Sequence, residues 1–138
     1  MTATAIYVDS SAILRAVLEA GMTPAVERKI EEAQILLTSR LSQIECARAL
    51  LRLRGVPGTS AARLADAERQ VDTLWARCEL WGITGPVCDL ACRVAPTKPL
   101  RTLDAIHLAT FLFARKRIAG LDLLTTDRRL EDAAASET

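Results

Sequence analysis

The sequence predicts an α/β domain of three layers, a mainly parallel sheet of four strands, or five if an edge strand is added, with helices on both faces. Three observations carry that reading. Four short apolar runs, at 5–8, 35–38, 80–84 and 123–126, alternate with stretches whose apolar residues recur at helical spacing. Parallel strands need a long crossover between them, and a helix is the usual one, so this alternation favours a parallel sheet. The 138 residues suit a single domain, 1–138, built on one core, with no repeat, linker or low-complexity segment inside it.

The elements follow in order. AIYV at 5–8 is apolar, β-branched and aromatic, and Asp9-Ser10-Ser11 ends it as a buried strand. Asp9 or Ser10 caps a helix to about Glu19, with Ile13, Leu14, Val17 and Leu18 inward, and Gly21 stops it. Thr23-Pro24 places a capping residue before the helical position that tolerates proline, opening a helix to about Ala33. ILLT at 35–38 is the second strand. A helix follows from about Leu41 to Arg54, with Ile44, Ala47, Leu50, Leu51 and Leu53 as its apolar face. Gly55-Val56-Pro57-Gly58 breaks the chain, and Ser60 starts a long helix with Leu64, Ala67, Val71, Leu74, Trp75 and Cys78 at helical spacing. LWGIT at 80–84 is a weak third strand, and Pro86 opens a short helix to about Val94. After Pro96 and Pro99, Thr102 is the expected N-cap of a buried helix over 102–117, apolar through Leu103, Ile106, Leu108, Ala109, Leu112 and Phe113. Gly120 ends it, LLTT at 123–126 is the fourth strand, and Asp127 caps a last short helix before a frayed tail at 133–138.

Composition excludes several classes. A net charge of +1 is not that of a bulk-basic nucleic-acid binder, so any RNA contact must come from local patches. No apolar run approaches the ~20 residues of a membrane span. The N-terminal MTATAIYVDSS lacks a basic segment and a signal-peptide core, so the cytoplasm is the default expectation. Cys46, Cys78, Cys88 and Cys92 form no C-x-x-C pair and have no histidine near them, which favours buried reduced thiols over a zinc site.

Four acids stand where chemistry is expected. In open parallel sheets, ligands bind beyond the carboxyl ends of the strands. Asp9 follows the first strand, Asp127 the fourth, and Glu45 lies in the first turn of the helix after the second. These three share one edge by topology. Asp104, in the first turn of the 102–117 helix, joins them if its proline-rich loop crosses that edge. Clustered carboxylates repel one another and take up protons unless a cation meets them. An all-oxygen set suits Mg²⁺ or Mn²⁺, which would activate water and stabilise charge on a phosphate. Asp9→Asn and Asp104→Asn should then each leave the metal-free fold as stable or slightly more so.

Each acid also has a structural explanation. Asp9 and Asp127 are helix caps, Asp104 is a first-turn partner of the helix dipole, and Ser42-x-x-Glu45 has the form of a capping box. What is unusual is all four together on one rim with no lysine or arginine equally placed. Ser10 and Thr126 flank two of the acids, as caps or as ligands of water or phosphate. Arg128 is near enough in sequence to contact an RNA phosphate, whereas Arg115-Lys116-Arg117 reads as a solvated face. His107, one turn from Asp104, reads as a hydrogen-bonded core residue and is assigned no catalytic role.

YVDSSAILR at 7–15, LTSRLSQIECARAL at 37–50, PLRTLDAIHLAT at 99–110 and LLTTDRRL at 123–130 together resemble the PIN-domain family, and within it the VapC-type toxins of toxin–antitoxin pairs. The resemblance spans nearly the whole chain, and the third segment is the most specific. It implies a PIN-like fold and places the family's acidic cluster on Asp9, Glu45, Asp104 and Asp127. It further implies Mg²⁺- or Mn²⁺-dependent endoribonuclease cleavage of RNA, a homodimer, and an antitoxin protein lying across the groove. Many relatives carry a fifth, edge strand after the last helix; this sequence ends at Glu131-Asp132-Ala133-Ala134-Ala135-Ser136-Glu137-Thr138, which leaves four.

Two other readings compete. A non-catalytic PIN-like interaction module would keep the fold and lose ligands, but all four acids are present. A receiver-like phosphoacceptor domain also sets acids on a parallel sheet, and Lys98-Pro99 has the look of its Lys-Pro turn. It needs an aspartate after its middle strand, where this sequence has Thr84-Gly85-Pro86.

Overall fold

A computed structural model describes residues 4–137. The residues at 1–3, which open the segment read for a signal peptide, and Thr138 of the expected tail lie outside the described residues. In chain order the elements are β1 (Ala5–Val8), α1 (Ser10–Leu18), α2 (Pro24–Glu32), β2 (Ile35–Ser39), α3 (Arg40–Arg54), α4 (Ala61–Arg77), β3 (Glu79–Trp81), α5 (Gly85–Ala91), α6 (Thr102–Arg117), β4 (Asp122–Leu124) and α7 (Arg128–Ala135).

The four strands pair in parallel in the order β3-β2-β1-β4. β1 is buried along its whole length because it is central and covered on both faces. Its side chains alternate, as a strand's two-residue period requires. Ile6 and Val8 join Ala12, Ile13, Ile30, Cys46, Leu50, Leu64 and Val71, so α1–α4 form one outer layer. Ala5 and Tyr7 join Leu108, Phe111, Leu112, Leu130 and Ala133 under α6 and α7 in the other. Leu36 and Leu37 divide in the same way. The three-layer α/β expectation holds.

The chain starts at β1, winds outward through β2 and β3, then crosses to β4 on the far side of β1. The reversal falls between β1 and β4. Crevices at such a switch point, beyond the strand carboxyl ends, are where α/β sheets take ligands.

Several boundaries differ from the sequence reading. β3 covers 79–81, not 80–84, because the Thr84 side chain accepts the Val87 N–H and starts α5. β4 ends at Leu124, and Thr125 turns its hydroxyl to the Asp9 carboxylate instead of extending the strand. α6 is capped at Arg101, whose carbonyl accepts the Ala105 N–H, so Thr102 is its first residue rather than its cap. The buried face of α3 is Leu41, Ser42, Cys46 and Leu50, while Ile44 and Leu51 are more than half exposed. Tight packing there selects small side chains: Ser42 is wholly buried with its hydroxyl 2.7 Å from that of Thr38. Of the cysteines Cys46 is buried, but Cys88 and Cys92 are exposed. The chain end is held rather than frayed. Ala133 and Ala134 are buried, and Glu137 accepts the Ala95 N–H at 2.8 Å while Arg115 donates to the Glu137 carbonyl.

Thr38 ties the layers together, its hydroxyl reaching both the Val8 carbonyl and Ser42 in the buried interior. Thr38→Val keeps the shape and removes the donor. It is expected to cost about 1–3 kcal/mol, read as a lower urea midpoint at unchanged slope.

Candidate active site

Asp9 leaves β1 in extended conformation and caps α1. Its Oδ1 accepts the Ala12 N–H at 3.0 Å and the Ser11 hydroxyl at 2.7 Å, and its Oδ2 accepts the Thr125 hydroxyl at 2.6 Å. Three donors and a helix N-terminus are what a carboxylate only 3% exposed requires. Thr125 in turn accepts the Asp127 N–H at 3.0 Å, and Ser11 accepts the Thr126 N–H at 3.0 Å, which joins the ends of β1 and β4.

Glu45 lies in the second turn of α3. Ser39, not Ser42, caps that helix, its hydroxyl accepting the Leu41 N–H, so the expected capping box does not form. Glu45 Oε1 instead accepts the Ser10 hydroxyl at 3.0 Å and lies 2.6 Å from His107 Nε2. On the other side of that ring, Nδ1 is 2.8 Å from the Tyr7 hydroxyl. Burial first, then the charge of Asp9, lifts the Tyr7 phenol well above its ordinary range, so it keeps its proton. Glu45 is held as a carboxylate, so Nε2–H donates to it, and the Tyr7 hydroxyl hydrogen-bonds the other ring nitrogen. His107 is the hydrogen-bonded core residue the sequence suggested, and it also positions Glu45. Burial pushes the Glu45 carboxyl up, but the bond and charge of His107, with help from Ser10 and Arg101, outweigh it and leave it below the ordinary glutamate value. Both side-chain bonds fall on Oε1.

Asp104 and Asp127 meet where α6 and α7 begin. Asp127 caps α7, its Oδ1 accepting the Arg129 and Leu130 N–H groups. Arg101 spans both acids, with Nε 3.3 Å from Asp104 Oδ2 and Nη2 3.6 Å from Asp127 Oδ2. Burial and then the neighbouring charge of Asp127 raise the Asp104 carboxyl, and Arg101 offsets them only in part. The loop after Pro99 thus does bring Asp104 to the same rim. The rim also holds a cation that the sequence reading missed, although Arg101 and Asp104 are spaced i, i+3, a helix-neighbour spacing legible in the sequence.

A hard cation suits this donor set, which is all oxygen and contains one acid pair already bridged by a guanidinium. As placed, each carboxylate turns to a protein partner, and among the described residues no three His, Cys, Asp or Glu side chains are arranged to hold a metal ion. A cysteine nucleophile is a poor alternative: burial, then the charges of Glu45 and Asp9, push the Cys46 thiol up to about 12, so it remains unionised. Of the flanking residues, Ser10 bonds to Glu45, Thr126 lines a groove beside α1, and Arg128 is exposed at the first position of α7.

The PIN domain family matches residues 6–136. The chain belongs to the PIN-domain family. A relative from Mycobacterium tuberculosis, Ribonuclease VapC46, is 37% identical over 133 residues, covering 94% of this chain and 90% of the relative. Two solved structures share the fold of this PIN domain. PAE2754 from Pyrobaculum aerophilum superposes with a TM-score of 0.65 at 22% identity, covering 94% of this chain and 79% of that one. VapC20 from Mycobacterium tuberculosis, described as a sarcin-ricin loop cleaving toxin, gives a TM-score of 0.64 at 17% identity, covering 94% and 95%.

The two shifted acids make opposite predictions for the metal-free PIN domain. Glu45 is lowered on folding, so its contribution is present above the ordinary glutamate value and is lost as pH falls through the folded value. Asp104 is raised, so its contribution is present below the ordinary aspartate value and is lost as pH rises through the folded value. In EDTA at pH 7, Glu45→Gln is expected to be less stable than wild type, with the gap closing below about pH 4, while Asp104→Asn is at least as stable as wild type. Asp9 departs from the expectation that neutralisation is harmless, because asparagine offers one acceptor oxygen to three donors. Urea midpoints measured across pH check all of these.

Proposed function

We propose that this PIN domain is a Mg²⁺- or Mn²⁺-dependent endoribonuclease and the toxin member of a toxin–antitoxin pair. One observation carries the reading: Asp9, Glu45, Asp104 and Asp127 border the switch point, two of them already sharing a counter-charge. The ribonuclease name of VapC46, at 37% identity, supports it.

Asp9, Glu45, Asp104 and Asp127 would hold the ion. When bound, it supplies charge stabilisation on the scissile phosphate and lowers the pKa of the attacking water. The chain's own residues do the rest. His107 and Ser10 keep Glu45 in one rotamer, so that Oε2 is offered to a ligand or to a proton on water. Thr125 and Ser11 lock Asp9 against the end of β4. Arg128 and Arg129 are exposed at the start of α7 beside Asp127, and one of them would contact an RNA phosphate as a local basic patch.

For the antitoxin, the fitting surface is a groove of about 660 Å³ between α1, the turn after α3, and α4. Leu14, Val17, Leu18, Leu53 and Leu64 line it, and it runs to Ser11 and Thr126 at the acidic rim. A segment with apolar side chains and a basic end matches it, the basic end pairing with the carboxylates. A homodimer is the assembly the family implies, and the exposed Ile44 and Leu51 stripe on α3 is a face for a second copy. No helix among the described residues is long and apolar enough to cross a membrane.

The test is RNA cleavage by protein purified free of antitoxin. Cleavage is expected with Mn²⁺ or Mg²⁺ and lost in excess EDTA, with Asp104→Asn inactive yet folded. Glu45→Gln is expected to cleave far more slowly at limiting metal, since an amide lacks the charge that holds the ion. Cleavage undiminished in EDTA would overturn the reading, and a fully active Glu45→Gln protein would remove Glu45 from the site.

A further inference from the structure

Arg101 is the basic group lying against the acids. It caps α6 through its backbone alone, so its side chain is not committed to the fold. The guanidinium meets Oδ2 of Asp104 and Oδ2 of Asp127, the oxygen of Asp127 not engaged in capping α7. Its charge also helps lower Glu45. Three of the four acids therefore feel one cation. The arginine side chain is 74% exposed, whereas the Asp104 side chain is 15% and that of Asp127 22%. The positive charge thus sits at the mouth and the negative charges beneath it.

Two consequences follow from that stacking. A divalent cation held by Asp104 and Asp127 would compete with the guanidinium for their charge. The guanidinium gives way readily, because its own side chain is 74% exposed and returns to water. The displaced guanidinium stays tethered at residue 101, three residues from Asp104. A guanidinium's planar fork matches two phosphate oxygens.

We propose that Arg101 is a two-position residue of the nuclease reaction: counter-ion of Asp104 and Asp127 before metal enters, clamp on the RNA phosphate afterwards. This rests on the metal-dependent nuclease reading above. It also explains how an acid pair whose mutual repulsion raises Asp104 persists without metal in the folded protein.

The test pairs a binding readout with a kinetic one, on the intact protein free of antitoxin. Mn²⁺ affinity is titrated by electron paramagnetic resonance for wild type, Arg101→Ala and Arg101→Lys, and RNA cleavage is measured at saturating Mn²⁺. Melting in EDTA checks that each variant folds. Arg101→Ala is expected to bind Mn²⁺ about two- to fivefold tighter, the loss of one exposed competitor. It is nonetheless expected to cleave at least about tenfold more slowly, the loss of one charge-assisted phosphate contact. Arg101→Lys keeps the charge and loses the fork, so Mn²⁺ affinity returns to that of wild type while cleavage recovers only in part. Tighter metal with slower cleavage is a combination that neither a metal ligand nor a purely structural residue produces. Unchanged or weaker Mn²⁺ binding by Arg101→Ala would overturn the competition, and undiminished cleavage would overturn the clamp. A wild-type protein that binds no Mn²⁺ would overturn the metal-dependent reading itself, an outcome distinct from either.

Discussion

The chain of hydrogen bonds from Tyr7 through His107 to Glu45 is the interaction on which the rest of the site depends. It runs from the central strand, across α6, to α3. Tyr7 and His107 are buried, so neither can exchange its partner for water without exposing an unpaired polar group. The phenol holds the ring through Nδ1, and the ring in turn holds Glu45 through Nε2. Ser10, next to Asp9 in sequence, completes the link by donating to the same Glu45 oxygen. A carboxylate in the second turn of α3 is thereby aimed across the edge of the sheet, toward the ends of β1 and β4, rather than at solvent.

The capping role of an acid and its place at the site turn out to be compatible, and the reason is the number of oxygens. Asp127 caps α7 through Oδ1 and meets Arg101 through Oδ2. A parallel sheet brings helix N-termini to the strand carboxyl edge, and N-termini favour carboxylates, so the fold itself gathers acids where ligands bind. Asp9 is the more committed of the two, because both its oxygens already accept bonds from this chain. The price of gathering negative charge is visible at Asp104, where the carboxyl is raised despite the guanidinium beside it.

Family membership and this geometry reinforce each other without being the same statement. A PIN domain over 6–136 establishes what kind of chain this is. The placement of Thr125, Ser11, His107 and Arg101 around the acids belongs to this chain's own side chains. They convert a set of residues on one edge into a site in which Glu45 and Asp9 have defined orientations and Asp104 and Asp127 share a counter-ion.

Alternation of apolar strands with helical stretches determined the α/β class, the parallel sheet and three of the rim positions, because periodicity and capping chemistry are local and survive in a one-dimensional string. The β1 strand, the Asp9 and Asp127 caps and the buried character of α6 were all legible that way. Tertiary structure decided what depends on distance between segments far apart in sequence. Ser42-x-x-Glu45 fits a capping box by spacing, but Ser39 starts the helix and Glu45 turns to a histidine 62 residues away. Ile44 and Leu51 look like core on a helical wheel, yet the small Ser42 and Cys46 take the tight contact, because close packing against the sheet selects for fit rather than for hydrophobicity alone. Thr125 reads as strand until its hydroxyl is seen to bond to Asp9, 116 residues earlier. Arg101 reads as a loop residue until Asp127, arriving on another helix, shows that both acids share its charge. Local rules specify which side chains reach the edge of the sheet; only the folded packing specifies which of them meet.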